Sequence, residues 1–150
     1  MSVAFRRESD EEHKEPRFEL PIPAGPNRVT ARGTALIAER IAALETCLAG
    51  TDGEAAEAIR RDLRYWQTRR TTAIPTDAPT DGTIGFGSTV DLRLDGRPRR
   101  ITIVGDDEAD PKAGAIAVSA PLARAILGAE PGDVLPFAGR DAAIEIVTVA

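Results

Sequence analysis

The sequence predicts an α+β protein, with an antiparallel helical hairpin first and a small antiparallel β-sheet carrying one short helix second. Apolar residues recur at helical spacing between residues 30 and 72. After residue 84, apolar and polar residues alternate at strand spacing, with turn sequences between the runs. A segment rich in proline and glycine separates the two regions. Together these three observations predict two small structural units joined by a linker.

The charge of the chain is unevenly distributed. The 150 residues have a formal net charge of −5. Residues 1–28 contribute −1 and residues 29–72 contribute +1, whereas residues 73–150, with 7 basic and 12 acidic side chains, contribute −5. The second half should therefore repel nucleic acid and suit a basic protein surface. One cysteine, Cys47, excludes an internal disulfide, and with a single histidine no structural zinc cluster is expected. Since no run resembles a membrane span or a secretory leader, we expect a cytoplasmic protein without a membrane partner.

Residues 1–28 are predicted to form a disordered or extended arm. Charged side chains dominate its first part, and four prolines lie between residues 16 and 26. Neither composition supports a helix, because proline lacks the backbone N–H and clashes with the preceding turn.

Residues 29–72 are predicted to form an antiparallel coiled-coil hairpin. Two apolar stripes follow helical spacing: Ile37, Ile41, Leu44 and Leu48, then Ala56, Ile59, Leu63 and Trp66. Thr30 suits the N-cap of the first helix, and Gly50 suits its end. Folding the chain back at Thr51 and Asp52 brings the stripes together, with Trp66 opposite Ile37. Arms of about 20 residues would each be about 30 Å long. A hairpin of two helices buries little apolar surface, so we expect contacts with the second domain or with a partner to stabilise it.

The outer face of this hairpin is predicted to carry a basic strip. Its members are Arg60, Arg61 and Arg64, and Arg69 and Arg70 are expected on the same outer face. One interpretation is a solvated helix face on which Glu57 forms weak ion pairs with its neighbours. The other is a basic surface that faces RNA or an acidic protein wall, with Tyr65 as a stacking or packing residue.

Residues 73–83 are predicted to be a linker, and residues 84–150 the second domain. The predicted strands cover residues 84–94, 99–104, 115–118, 134–137 and 143–149. Asp95-Gly96 predicts a tight hairpin turn, and Gly139-Arg140-Asp141 the turn before the last strand. Asp106, Asp107, Glu108 and Asp110 are expected in a solvated loop. A short helix is expected from Leu122 to Leu127, with Ser119 as its cap and Gly128 at its end.

Four runs in the second domain resemble, in this order, the C-terminal domain of the Gre transcript-cleavage and elongation factors. They are Gly85-Phe86-Gly87-Ser88-Thr89-Val90, Ile103-Val104-Gly105-Asp106-Asp107-Glu108-Ala109-Asp110, Ala120-Pro121-Leu122-Ala123-Arg124-Ala125-Ile126-Leu127-Gly128 and Pro131-Gly132-Asp133-Val134. The resemblance implies an FKBP-like sheet domain. It also implies docking at the rim of the RNA polymerase secondary channel through the turn before the short helix, which makes Ser119, Ala120, Pro121 and Arg124 the candidate polymerase-binding residues.

The tip of the hairpin is where the resemblance implies the family's chemistry. In Gre factors an acidic tip holds a magnesium ion shared with polymerase, near the 3′ end of the nascent RNA. The carboxylates here are Asp52 and Glu54, but the family's acidic motif is altered and its hairpin is several turns longer. The alternative interpretation is ordinary turn chemistry, with acidic side chains complementing a helix N-terminus. We therefore expect no cofactor of the chain's own and little or no stimulation of transcript cleavage.

Several functional classes follow from these observations. The leading one is a monomeric, bacterial-type regulator of transcription elongation that binds core RNA polymerase and is not itself an enzyme. A variant of it is a non-cleaving competitor of Gre factors, resembling the regulator of nucleoside diphosphate kinase. Two alternatives belong to other functional classes. One is a peptidyl-prolyl isomerase, suggested by the FKBP-like domain alone, and the other is a generic coiled-coil adaptor.

Overall fold

The computed structural model describes residues 19–150, so most of the predicted N-terminal arm lies outside the described residues. Residues 19–27 contain no helix or strand. Within the described part of the chain, no helix combines the length and the apolar character needed to cross a membrane.

Two long helices form the predicted hairpin. Helix α1 spans Ala31–Ala49 and helix α2 spans Gly53–Thr72. Thr30 is the N-cap of α1, and its hydroxyl accepts the N–H of Gly33 at 3.0 Å. Gly50 ends the helix as predicted. At 1.5 Å per residue each arm is about 30 Å long.

The predicted stripes meet in a small apolar cluster between the helices. Its buried members are Val29, Ile37, Ile41 and Leu63, and Leu44, Leu48, Ile59, Trp66 and Ala73 pack against them. Trp66 itself is half-buried. So small a cluster gives the hairpin little stability of its own, because short helices depend on tertiary packing.

A two-stranded parallel ladder closes the base of the hairpin. Strand β1, Arg28–Val29, precedes α1, and strand β2, Ile74–Pro75, follows α2. The N–H of Ile74 donates to the carbonyl of Asn27 at 2.8 Å, and the N–H of Thr76 donates to that of Val29 at 2.9 Å. The first residues of the predicted linker are thus tied to the residues that precede α1.

The second unit is a five-stranded sheet in the order β5-β4-β3-β7-β6. Its strands are β3 Thr89–Leu94, β4 Arg97–Val104, β5 Ala115–Ala117, β6 Val134–Phe137 and β7 Arg140–Val149. The sheet is mixed, and the prediction of a wholly antiparallel sheet is wrong for β5, which runs parallel to β4. Residues 105–114 carry the chain back along β4 before β5 begins, a return that a two-residue hairpin cannot make.

Two tight turns set the antiparallel pairings. Asp95 and Gly96, with φ of 53° and 80°, form the predicted turn between β3 and β4. The turn before β7 lies one residue earlier than predicted, at Ala138 and Gly139, with φ of 53° and 77°. Phe137 pairs with Arg140 and closes this turn, so β7 begins at Arg140 and not at residue 143.

One short helix, α3, spans Pro121–Ile126 and covers the sheet. Its Ala123 and Ile126 are fully buried in the core of this unit. The other buried members are Ile84, Val90, Leu92, Ile101, Ile103, Ile116, Ala129, Ile144 and Ile146. Because this core is separate from the hairpin cluster, the sheet unit has its own source of stability.

Candidate functional site

The predicted docking turn lies between β5 and α3. Ser119, Pro121 and Arg124 are exposed, and Ala120 is half-buried. Because Ala123 and Ile126 face the sheet, Arg124 lies on the opposite, outward side of α3. The four residues predicted from the resemblance therefore form an accessible surface on the sheet unit.

Ser119 does not cap the short helix, and this prediction is wrong. Helix α3 begins at Pro121, whose fixed φ suits a first helical position, so Ala120 occupies the N-cap. Ser119 lies one residue too early to reach the free backbone N–H groups. Its hydroxyl instead donates to Oδ1 of Asp106 at 3.0 Å.

Residues Asp106–Glu108 form a single 3₁₀ turn, which we call the acidic turn. The prediction of a solvated loop is wrong for its last two residues, which are half-buried against the hairpin. Asp107 accepts hydrogen bonds from the Tyr65 hydroxyl and, at 2.5 Å, from Nε of Arg69. Glu108 accepts the hydroxyl hydrogen of Thr30 at 2.6 Å. Both carboxylates therefore accept hydrogen bonds from side chains of the hairpin or of its N-cap.

Arg69 does not belong to the basic strip on the outer face. Its side chain is 3% exposed and forms an ion pair with Asp107, whose side chain is 11% exposed. Its backbone carbonyl also accepts a hydrogen bond from Nδ2 of the buried Asn27 at 2.8 Å. The sequence did carry a signal for this position, because Leu63, Trp66 and Arg69 follow one another at intervals of three on the inner side of α2.

Tyr65 connects the hairpin to the acidic turn. Its ring stands edge-on to Trp66, with centroids 5.3 Å apart and an interplanar angle of 88°. Burial, together with the hydrogen bond to Asp107, raises the pKa of Tyr65 to about 12, since a phenolate would lie beside a carboxylate.

The titration of Tyr65 gives a first testable prediction. Because it is the only tyrosine of the chain, phenolate absorbance reports this group alone. We expect a pKa of about 12 in the folded protein, and a lower pKa in Asp107→Asn, which removes the negative neighbour. The folded pKa of Tyr65 lies above the unfolded value of about 10. The contribution of this group to stability is therefore complete below the unfolded pKa and is lost as the pH rises through the folded pKa. A native midpoint at the unfolded value would contradict the contact.

The basic strip is balanced by carboxylates. Arg60 Nη1 lies 2.7 Å from Glu57 Oε1, the ion pair that the first interpretation predicts. Arg64 donates through Nε and Nη2 to the carboxylate of Glu19, a contact that lowers the pKa of Glu19. Arg61 lies on the same helix, 3.9 Å from Asp62. The side chains of Arg60 and Arg64 are about half exposed, so solvent screens these pairs. Binding of RNA here stays a prediction.

The two carboxylates of the tip are exposed. Asp52 occupies the N-cap of α2 without a side-chain hydrogen bond, and Glu54 lies in the first turn. Among the described residues, no group of three or more histidine, cysteine or acidic side chains is arranged to hold a metal ion. A magnesium ion at this tip would need further ligands from a partner, since magnesium takes near-octahedral oxygen coordination.

Comparisons with known proteins concern mainly the sheet unit. The family model described as "Transcription elongation factor, GreA/GreB, C-term" matches residues 79–150. Transcription elongation factor GreA of Ralstonia nicotianae is 52% identical over 62 residues, which cover 40% of this chain and 39% of that protein. GreA of Pseudomonas aeruginosa is 39% identical over 97 residues, covering 62% of this chain and 61% of that protein. The chain thus spans about two fifths to three fifths of these relatives' length.

Solved structures show a weaker likeness over more of the chain. GreA factor homolog 1 (Gfh1) of Thermus thermophilus has a TM-score of 0.40 and 18% identity, covering 82% of this chain and 97% of that one. A GreA/GreB factor from Nitrosomonas europaea has a TM-score of 0.40 and 22% identity, with coverages of 85% and 99%. Residues 79–150 thus match the C-terminal domain of the GreA/GreB transcription elongation factors, and the sequence relatives are GreA factors.

Proposed function

We propose that this protein binds RNA polymerase and regulates transcription elongation, with its C-terminal domain docked at the rim of the secondary channel. The observation that carries the proposal is the family match over residues 79–150, a range that includes the docking turn. In support, Ser119, Pro121 and Arg124 are exposed beside the packed core of the sheet unit. The net charge of −5 over residues 73–150 suits a basic surface on the partner. In this proposal the chain is an accessory factor and not itself an enzyme.

We further propose that the hairpin enters the channel without stimulating transcript cleavage, so that the protein competes with Gre factors for the same rim. Helices α1 and α2 have 19 and 20 residues, which gives arms of about 30 Å, several turns shorter than those implied by the resemblance. A carboxylate assists a magnesium ion only at about 2.0–2.1 Å. Asp52 and Glu54 at the end of the shorter arms would then stop short of the metal.

Docking is tested by the double variant Ser119→Arg/Pro121→Ala. We expect binding to core polymerase to weaken about tenfold or more, equivalent to about 1.4 kcal/mol, because a bulky charge enters the contact and the turn loses its rigid residue. Thr80→Arg is the matched control, since it adds the same charge at an exposed position outside the turn. Affinity that stays unchanged while circular dichroism remains normal would exclude this turn as the docking site.

Cleavage is tested by adding the purified protein to a backtracked elongation complex. We expect no shortened RNA from the wild type, and inhibition when a full-length Gre factor is also present. The variant Asp52→Ala/Glu54→Ala should inhibit equally well, because both the docking turn and the ordered hairpin are unchanged. Strong cleavage by the wild type that disappears in this variant would instead assign the tip a role in holding the metal.

A further inference from the structure

The acidic turn contacts both arms of the hairpin. From α2, Tyr65 and Arg69 donate to Asp107. At the start of α1, Thr30 donates to Glu108. Two contacts on different helices restrain the hairpin against rotation more strongly than one contact on a single helix would.

The acidic turn also approaches the base of the hairpin closely. A Cβ atom on Gly105 would lie 2.5 Å from the carbonyl oxygen of Arg28, and one on Gly33 would lie 3.0 Å from Oε2 of Glu108. Gly105 has φ −74° and ψ 168°, a conformation open to any residue. Its lack of a side chain is therefore needed for the approach of the two units and not for its backbone conformation.

On its other side the acidic turn contacts the docking turn, because Ser119 donates to Asp106. Three consecutive carboxylates thus hold three different segments: the docking turn, helix α2 and the start of α1. The Asp107–Arg69 contact is a charged pair shielded from solvent, since the two side chains are 11% and 3% exposed. A buried charged pair with further hydrogen bonds specifies one arrangement, because any other leaves a buried charge unpaired.

We propose that the acidic turn fixes the direction of the hairpin relative to the docking turn, with Asp107 as the positioning residue. The fixed direction is a property of the free protein. Its consequence, that the tip is aimed at one place once the C-terminal domain has docked, rests on the proposed function.

Distance measurement between two spin labels tests this positioning role. Cys47, the only cysteine, is exposed near the far end of α1 and accepts the first label. Val134→Cys, at a 56% exposed position on β6, accepts the second. We expect one narrow distance distribution in the otherwise unchanged protein. In Asp107→Asn, and independently in Gly105→Ala, the distribution should broaden severalfold while the helical signal in circular dichroism is kept.

Matched controls separate positioning from general effects of substitution. Asp110→Asn removes the same charge from an exposed residue three positions further along. Gly50→Ala changes a glycine that also has an ordinary φ but where an added Cβ would meet no atom within 4 Å. Both should keep the narrow distribution. A distribution that is broad in the parent protein, or that stays narrow in both Asp107→Asn and Gly105→Ala, would overturn the positioning role.

Binding to core polymerase is measured separately on the same variants. Because the docking turn remains intact, Asp107→Asn should still bind polymerase but should compete less effectively with a Gre factor. If none of the proteins binds polymerase, the proposed function fails while the distance result stands. If all of them bind and compete equally, the aimed tip is excluded even where the distances broaden.

Discussion

Replacing Asp107 by alanine should lower the free energy of unfolding by about 3–5 kcal/mol, the usual cost of removing one partner from a buried ion pair. Arg69, at 3% exposure, would be left charged without its carboxylate, and the Tyr65 hydroxyl would lose its acceptor. Urea denaturation followed by the fluorescence of Trp66 measures the loss, because the single tryptophan lies in the hairpin next to Tyr65.

The exposed pair Arg93–Glu145 is the matched control. Its nitrogen and oxygen are 3.5 Å apart and both side chains are about half exposed, so Glu145→Ala should cost no more than about 1 kcal/mol. Replacing both Asp107 and Arg69 by leucine should cost much less than the sum of the two single changes, since no charge is then left buried. If Asp107→Ala costs as little as Glu145→Ala, the Asp107–Arg69 pair is solvated and the acidic turn does not hold the hairpin firmly.

The hairpin could be predicted because the residues that determine it lie close together in the sequence. Four apolar side chains at spacings of 4, 3 and 4 leave a single buried face for α1, and Gly50 together with Gly53 sets the place where the chain folds back. Thr30 was recognisable as a cap for the same reason, since the group that it binds lies three residues away.

The junction between the units could not be predicted from such patterns. Asp107 and Arg69 are 38 residues apart, and Glu108 and Thr30 are 78 apart. A run of acidic residues is normally solvated, and only the partners brought by the tertiary fold make burial of this one favourable. The prediction of Ser119 as a helix cap failed because α3 starts one residue later than such a cap requires. Ser119 instead donates a hydrogen bond to Asp106.

The docking turn is a mixed case. That a short helix would follow Pro121 could be predicted locally, because proline is tolerated in a first helical turn. That the turn should meet polymerase came only from the resemblance, because no local property of a serine and a proline specifies a protein partner.

The second large effect is expected in the hairpin core, where Ile37→Ala should lower the stability of the hairpin by about 2–5 kcal/mol. Ile37 is 2% exposed and is one of four buried residues in its cluster, so few neighbours can close the cavity. Trp66 fluorescence should change at a lower urea concentration than the signal of the sheet unit, because the C-terminal domain has a separate core. The fluorescence reports the hairpin, because the C-terminal domain contains neither tryptophan nor tyrosine. The variant should then keep its docking turn while losing an ordered hairpin. Under the proposed function it should still bind core polymerase but should exclude a Gre factor less effectively.

Ile22→Ala is the control of the same chemistry at a position that is 48% exposed, where truncation should cost less than about 1 kcal/mol. Amide hydrogen exchange provides the second measurement. Protection should fall throughout α1 and α2 in Ile37→Ala but persist in β3, β4 and β7, whose backbone bonds belong to the larger core. Simultaneous loss of protection in helices and strands would mean that the contacts of the acidic turn couple the two units into one cooperative structure, so that the hairpin cannot be melted alone.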